Sequence, residues 1–203
     1  MCSRFEMNAQ PRELARRFGL KSPPPVPNAP ELRPTNQALV IDRAHAGGDG
    51  PAGRLLAWGL VVTWDKNLLI NVRAETLAEK RAFRLLLGSR CLVPATTWFE
   101  WRKVGRAKLK NRIAPNSGGI FAFAGLADGA RFTVVTCAAA PGVAHIHHRM
   151  PVVLAPATEA AWMDPTASFA EVKGALVPYV GALAAAEESP PGIGRPGQSD
   201  LFR

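Results

Sequence analysis

The stretch CLVPATTWFEWRKV, residues 91–104, reads as a strand, a turn and a second strand. In the second strand Trp98 and Glu100 point one way, and Phe99 and Trp101 the other. Working outward, the same β character recurs on both sides. Upstream, RPTNQALVID (33–42) is a turn leading into a short strand, and AHAGGDGPAG (44–53) is a loop. RLLAWGLVVTW (54–64) is a largely buried strand interrupted at Gly59, the position of a bulge or a close backbone approach. LLINVR (68–73) is extended. From Thr76 the period becomes helical, with Leu77, Phe83 and Leu87 on one stripe and Gly88 as the stop. Downstream, a polar Lys-rich loop runs to Gly119. GIFAFAGLA (119–127) and RFTVVTCAA (131–139) pair through Asp128-Gly129. PGVAHIHH (141–148) is a short helical or turn segment, and RMPVVL (149–154) is another strand. TEAAWM (158–163) and SFAEVKGAL (168–176) are small helices. Near the N-terminus, PRELARRFGL (11–20) is a helix that starts at Pro11 and stops at Gly19. The proline-stiffened SPPPVPNAP (22–30) connects it to the sheet. Many short strands with a few outer helices predict an α+β fold, with a mixed, barrel-like β-sheet core and peripheral helices. One domain is expected over residues 1–186. The Gly-, Pro- and Ser-rich tail, residues 187–203, is expected to be disordered.

Composition supports this reading. The chain has 203 residues, 47% of them hydrophobic, enough for one real core. No apolar run approaches the roughly 18 residues that a membrane-crossing helix needs. No signal-peptide pattern opens the chain, because Glu6, Asn8 and Gln10 break any apolar run. A cytoplasmic, membrane-free protein is expected. The three cysteines, Cys2, Cys91 and Cys137, have neither metal-ligand spacing nor a disulfide framework. Cys91 and Cys137 read as small core residues. The formal charge is +9, which fits a polyanionic partner and equally a solvated basic surface; the spread of basic residues from Arg4 to Arg149 favours a groove on a folded surface over a basic arm. Trp58, Trp64, Trp98 and Trp101 interleave with Arg4, Arg54, Arg73, Arg102 and Arg149. Single-stranded nucleic acid needs that mixture, aromatics for bases and cations for phosphates. The alternative is that several of these tryptophans are core.

Four residues stand out chemically. Loss of Met1 turns Cys2 into an N-terminal residue with both an α-amine and a thiol. Their unperturbed pKa values are about 7.7–8.0 and about 8.5, so both are partly nucleophilic near neutrality. Together they can capture an aldehyde: the amine forms a Schiff base, and the thiol closes a thiazolidine ring. Asn71 interrupts the apolar run LLINV, either to bond the local backbone or to enter a site. Glu100 lies among aromatics. It is either the solvent-facing member of an alternating strand or a carboxyl whose pKa is raised by an aromatic wall. His147 precedes a buried strand, as a structural or a proton-shuttling imidazole. His145, His147 and His148 have no acidic or cysteine partner nearby, so no metal is expected, and no cofactor is implied.

MCSR (1–4), RPT (33–35), WGLVVTW (58–64), INVRAET (70–76), CLVPATTWFEW (91–101), FTVVTCAA (132–139) and IHHRMPVVL (146–154) occur in a fixed order. Together they resemble the SOS-response-associated peptidase family, whose members process abasic sites. The resemblance implies a single domain of that type, binding single-stranded DNA that contains an abasic site. It implies a thiazolidine DNA–protein crosslink between mature Cys2 and the ring-opened sugar, shielding the site, by a protein able to act as a monomer. By position, Cys2 is the nucleophile, Asn71 orients the N-terminal cysteine and the sugar, Glu100 is the general acid/base, and His147 assists proton transfer. Arg4, Arg73 and Arg149 match DNA-backbone contacts. Pro34, Trp58, Trp101, Thr136 and Met150 match positions shaping the DNA groove. Ser3, Val62 and His148 depart from the family pattern, and His148 raises the question of which imidazole works. Two other readings remain: a cysteine (auto)peptidase using Cys2, His147 and Glu100, and a non-catalytic single-strand-binding module.

Overall fold

The computed structural model of the chain describes residues 2–27, 31–43 and 50–188. In chain order its elements are β1 (Phe5–Glu6), α1 (Pro11–Phe18), β2 (Glu31–Leu32), β3 (Gln37–Asp42), β4 (Ala52–Trp58), β5 (Leu60–Val62), β6 (Asp65–Leu69), β7 (Asn71–Arg73), α2 (Arg81–Arg84), β8 (Arg90–Ala95), β9 (Thr97–Val104), β10 (Ala107–Pro115), β11 (Phe121–Ala127), β12 (Arg131–Ala138), β13 (Arg149–Pro151), α3 (Pro156–Met163), α4 (Phe169–Val172) and β14 (Leu183–Glu187). Strands dominate and the helices are peripheral, as the sequence predicts.

In the larger sheet β11, β8, β3, β4 and β12 pair in succession, and β11 pairs β12 again, so the strands form a ring. The β3–β8 step rests on one residue pair, Ile41 with Leu92. β4 and β7 both run parallel to β12, which makes the sheet mixed. The second sheet has the order β14-β10-β9-β1-β2. Thr96 alone separates β8 from β9, and its N–H donates to the Glu6 carbonyl at 2.8 Å. The strand–turn–strand of residues 91–104 is therefore no hairpin, because each half pairs in a different sheet.

Aromatic side chains fill the space between the sheets. Phe5 meets Trp58 and Phe123 edge-on, and Phe123 meets Trp98 and Phe121 the same way. Edge-to-face geometry suits the ring quadrupoles, and Phe123 is fully buried at the centre of the group. Phe123→Ala is expected to cost roughly 3–5 kcal/mol of stability, read as a lower midpoint of unfolding in urea.

The helices are tied down by arginines. α1 buries Leu14 and Phe18 and ends at Gly19, whose φ of 63° only glycine adopts freely. Its Arg17 donates to both carboxylate oxygens of Glu159 on α3, at 2.7 and 2.9 Å. Arg90, buried on β8, donates to the Trp162 and Ala167 carbonyls at 2.7 and 2.8 Å.

The structure corrects three expectations. The Lys-rich segment before Gly119 is not a loop: it forms β10, the longest partner of β9. Its burial alternates, with Asn111, Ile113 and Pro115 inward, and its exposed lysines mask the period of 2. The segment 76–87 is not one helix. Leu77 and Phe83 lie six residues apart, about 120° from each other around a continuous helix, too far to share one narrow stripe, yet both are buried. An extended Lys80 breaks the chain between them and leaves α2 only four residues long. Residues 54–64 break at Gly59 (φ 112°) into β4 and β5 as expected, but the far end is not buried, and Trp64 is 69% exposed. Finally, β14 extends the second sheet along β10 as far as Glu187. The rest of the expected tail, residues 189–203, and most of the expected loop at 44–53 lie outside the described residues.

Candidate active site

The site begins with where the first strand goes. β1 runs between β2 and β9, with Phe5 opposite Leu32 on one side and Trp98 on the other. Burial of Phe5 and Met7 draws the start of the chain into the core instead of leaving it frayed. The Arg4 carbonyl accepts from the Phe99 N–H at 3.0 Å, which brings residues 2–4 alongside Glu100 and Trp101.

Cys2 is completely buried. Burial, and then the charge of Glu100, push its thiol well above the ordinary range, so it is a thiol and not a thiolate. Asn71 Nδ2 donates to the Cys2 carbonyl at 2.7 Å. Asn71 is itself held from below. The Ile70 carbonyl accepts from Trp58 Nε1 at 2.8 Å and from the Val134 N–H at 3.1 Å, fixing the start of β7 against β12. Asn71 Oδ1 is buried and has no hydrogen-bond partner among the described residues. A buried amide oxygen in that state is an acceptor awaiting a donor.

Glu100 is 3% exposed. Burial is the largest influence on its carboxyl, which is pushed up to about 7. The desolvated alternative for Glu100 is thus the one observed. His147 sits in the turn between β12 and β13. Its Nδ1 lies 3.0 Å from the Arg149 N–H and 3.1 Å from the Arg149 carbonyl. The neutral ring accepts from the former, and a protonated ring donates to the latter, so one residue's backbone holds it in both states. Burial is the first cause that lowers its pKa, which favours the neutral ring at pH 7. His148 stacks on His147 at 4.5 Å between centroids, but His147 is the imidazole that lines the cavity.

That cavity has a volume of about 440 Å³ and is lined by Ser3, Arg4, Glu100, Trp101, Lys103, Lys108 and His147. Arg4 lies over the Trp101 ring, 5.4 Å from its centroid, and pairs with Glu31 at 2.9 Å. Arg149 donates to both oxygens of Glu75, at 2.6 and 2.9 Å, and to the Thr136 carbonyl at 2.7 Å. This pairing holds the Glu75 carboxyl below the usual carboxylate range.

The structure therefore brings Cys2, Asn71, Glu100 and His147 together, with Arg4 and Trp101 at the cavity wall. Arg73 is exposed at the end of β7, opposite Thr136. Pro34 stands in a turn whose Thr35 has φ 78°, rare for a β-branched residue; the Thr35 N–H donates to the Trp58 carbonyl at 2.9 Å. Trp58, Thr136 and Met150 are wholly buried. They support the site from beneath: Thr136 Oγ1 donates to the Val72 carbonyl at 3.2 Å, and Met150 Sδ accepts from the Ala140 N–H at 3.3 Å. Sequence reasoning passed over Glu31 and Glu75, which hold Arg4 and Arg149, and over Lys103 and Lys108. Glu75 lies inside INVRAET but breaks no apolar pattern there; Lys108 was hidden by the reading of its segment as a loop, and Lys103 read as an ordinary charge at the end of a strand. Of the departures, Ser3 lines the cavity and Val62 lies half-buried at the end of β5.

The profile of the SOS response associated peptidase (SRAP) family matches residues 1–189. The chain belongs to the SRAP family. It is 36% identical to the abasic site processing protein YoaM of Bacillus subtilis over 64% of this chain and 66% of that protein. It is 31% identical to the abasic site processing protein YoqW of the same organism over 81% of each chain. Among solved structures, a protein from Bacteroides thetaiotaomicron superposes with a TM-score of 0.78 at 25% identity, covering 92% of this chain and 91% of the other.

Proposed function

We propose that this SRAP-family chain processes abasic sites in single-stranded DNA by covalent capture on Cys2 once Met1 has been removed. The observation that carries the reading is the 2.7 Å hydrogen bond from Asn71 to the Cys2 carbonyl. It fixes the second residue's backbone beside the cavity that Glu100 and His147 line. The Cys2 amine attacks C1′ of the ring-opened sugar and forms a C–N bond. Water leaves as the Schiff base forms, and the protonated Glu100 supplies the proton for the departing hydroxyl. The thiol then adds to the same carbon, its proton passing back to Glu100, and the net loss is one water. A carboxyl poised near 7 both gives and takes protons at working pH. Neutral His147 is placed to relay protons at the same cavity, and Asn71 Oδ1 is free to accept from the amine or a sugar hydroxyl. An abasic nucleotide has no base to unstack, which eases its entry.

The cysteine-peptidase reading requires a thiolate, and burial together with Glu100 works against one at Cys2. The test is incubation of the mature protein with a single-stranded oligonucleotide carrying one abasic site, followed by a denaturing gel. A shifted band specific to the abasic oligonucleotide is expected. Its absence at neutral pH under reducing conditions sinks the capture reading and leaves a binding module.

A further inference from the structure

The β9–β10 hairpin carries six cations: Arg102, Lys103, Arg106, Lys108, Lys110 and Arg112. Three of them are matched by carboxylates. Arg102 pairs with Glu187 at 2.8 Å, and Arg112 with Glu6 at 2.6 Å. Lys110 pairs with Glu31 at 2.8 Å and Glu188 at 2.9 Å. Lys103 and Lys108 are treated differently. They face each other directly in the strand register, and both line the cavity that holds Glu100 and His147. Neither forms an ion pair among the described residues. Directly opposed side chains of an antiparallel pair have Cβ atoms about 4.5–5.5 Å apart, and like charges at such positions repel. The fold thus supplies carboxylates to Arg102, Lys110 and Arg112, and besides Arg106 in the turn it leaves a facing pair of ammonium groups, lining the cavity, without an ion pair among the described residues. That is the electrostatic form of an anion site. Trp101, next along the same face of β9, adds an aromatic surface beside it.

We propose that Lys103 and Lys108 form a shared slot for one phosphodiester of the DNA strand flanking the captured sugar. This rests on the proposed function for the identity of the polyanion. Lys103 lies three residues beyond Glu100, about 10 Å along the strand. The slot therefore holds a neighbouring phosphate, not the reacting sugar, and its role is binding and register.

The experiment measures equilibrium binding of an intact single-stranded oligonucleotide, with no abasic sugar, across a salt series. On a single strand, each phosphate that the protein ceases to neutralise takes about 0.7 off the slope of log K against log salt. Lys103→Gln/Lys108→Gln is expected to lower the slope by that amount and to weaken binding several-fold. Lys103→Arg/Lys108→Arg is expected to keep the wild-type slope. Arg12→Gln/Arg16→Gln, which removes two exposed charges from α1, serves as the charge control. A slope equal to that control overturns the proposal, and a fall of about 1.4 overturns the shared slot in favour of two separately held phosphates. With abasic DNA, the lysine double variant should raise the half-saturating oligonucleotide concentration for crosslinking several-fold; an unchanged half-saturation overturns the binding role. Because the salt series needs no chemistry, a wild type that binds but never crosslinks defeats the capture reading without touching this test.

Discussion

Cys2→Ala is expected to reduce the heat-stable crosslink to background while leaving single-stranded DNA binding near wild type. The residue contributes a carbonyl to Asn71 that alanine also supplies, so the wall of the site stays in place. What goes is the thiol that closes the ring. The alanine amine still forms a Schiff base, which is reversible and is seen on a gel only after borohydride reduction. An uncleaved N-terminal extension makes the complementary cut: the thiol remains, but the amine is locked in a peptide bond. It is expected to give no product with or without borohydride. The order of events follows from the burial of Cys2. Its thiol is held protonated, so the amine, with an unperturbed pKa of about 7.7–8.0, is the first nucleophile. A Cys2→Ala protein that forms the heat-stable product at the wild-type rate removes Cys2 from the chemistry.

Glu100→Gln is the second large effect. Glutamine keeps the shape and a hydrogen-bonding oxygen but cannot donate or accept a proton in turn. General acid–base groups contribute about 10²–10⁴-fold, and a fall of that order in the single-turnover crosslinking rate is expected. The pH profile adds a sharper test. The amine must be unprotonated to attack, so the rate rises with pH through about 7.7–8.0. Glu100 must be protonated to expel water, and its carboxyl titrates near 7, so the rate falls as pH rises through that value. The wild type is therefore expected to show a bell with its maximum between about 7 and 8. Glu100→Gln should lose the alkaline fall and keep the acid limb. DNA affinity should change little, because the carboxyl is buried and presents no surface charge to phosphates. A variant with the wild-type rate and the wild-type bell excludes Glu100 as the proton carrier.

Much of the fold was legible where side-chain period and turn chemistry agreed. Gly59, Asp128-Gly129, Pro11 and Gly19 each mark a boundary that the backbone respects. The failures share one physical cause: the local pattern was overridden by what lies across from it. β10 shows solvent its lysines because β9 and β14 satisfy its backbone on either side. Leu77 and Phe83 are both core only because the chain breaks between them. Residues 91–104 read as strand–turn–strand, yet nothing local reveals that Thr96 passes the chain from one sheet to the other. For the site, polar residues in apolar runs were the useful signal. Asn71, Glu100 and His147 each broke a pattern, and all three converge on Cys2. The carboxylates holding Arg4 and Arg149 gave no such signal. Glu31 and Glu75 are ordinary exposed-type residues, and their partners lie 27 and 74 residues away.

The central claim is that amine and thiol of one residue are both consumed on one sugar carbon. Intact-mass analysis of the crosslinked product, without any reducing agent, tests it most directly. The expected mass is that of the chain lacking Met1, plus the abasic oligonucleotide, minus one water. The N-terminal peptide should carry the adduct and show neither a free amine nor a free thiol at Cys2. A product retaining Met1, an adduct on a lysine, or a Cys2 thiol still open to alkylation would contradict it.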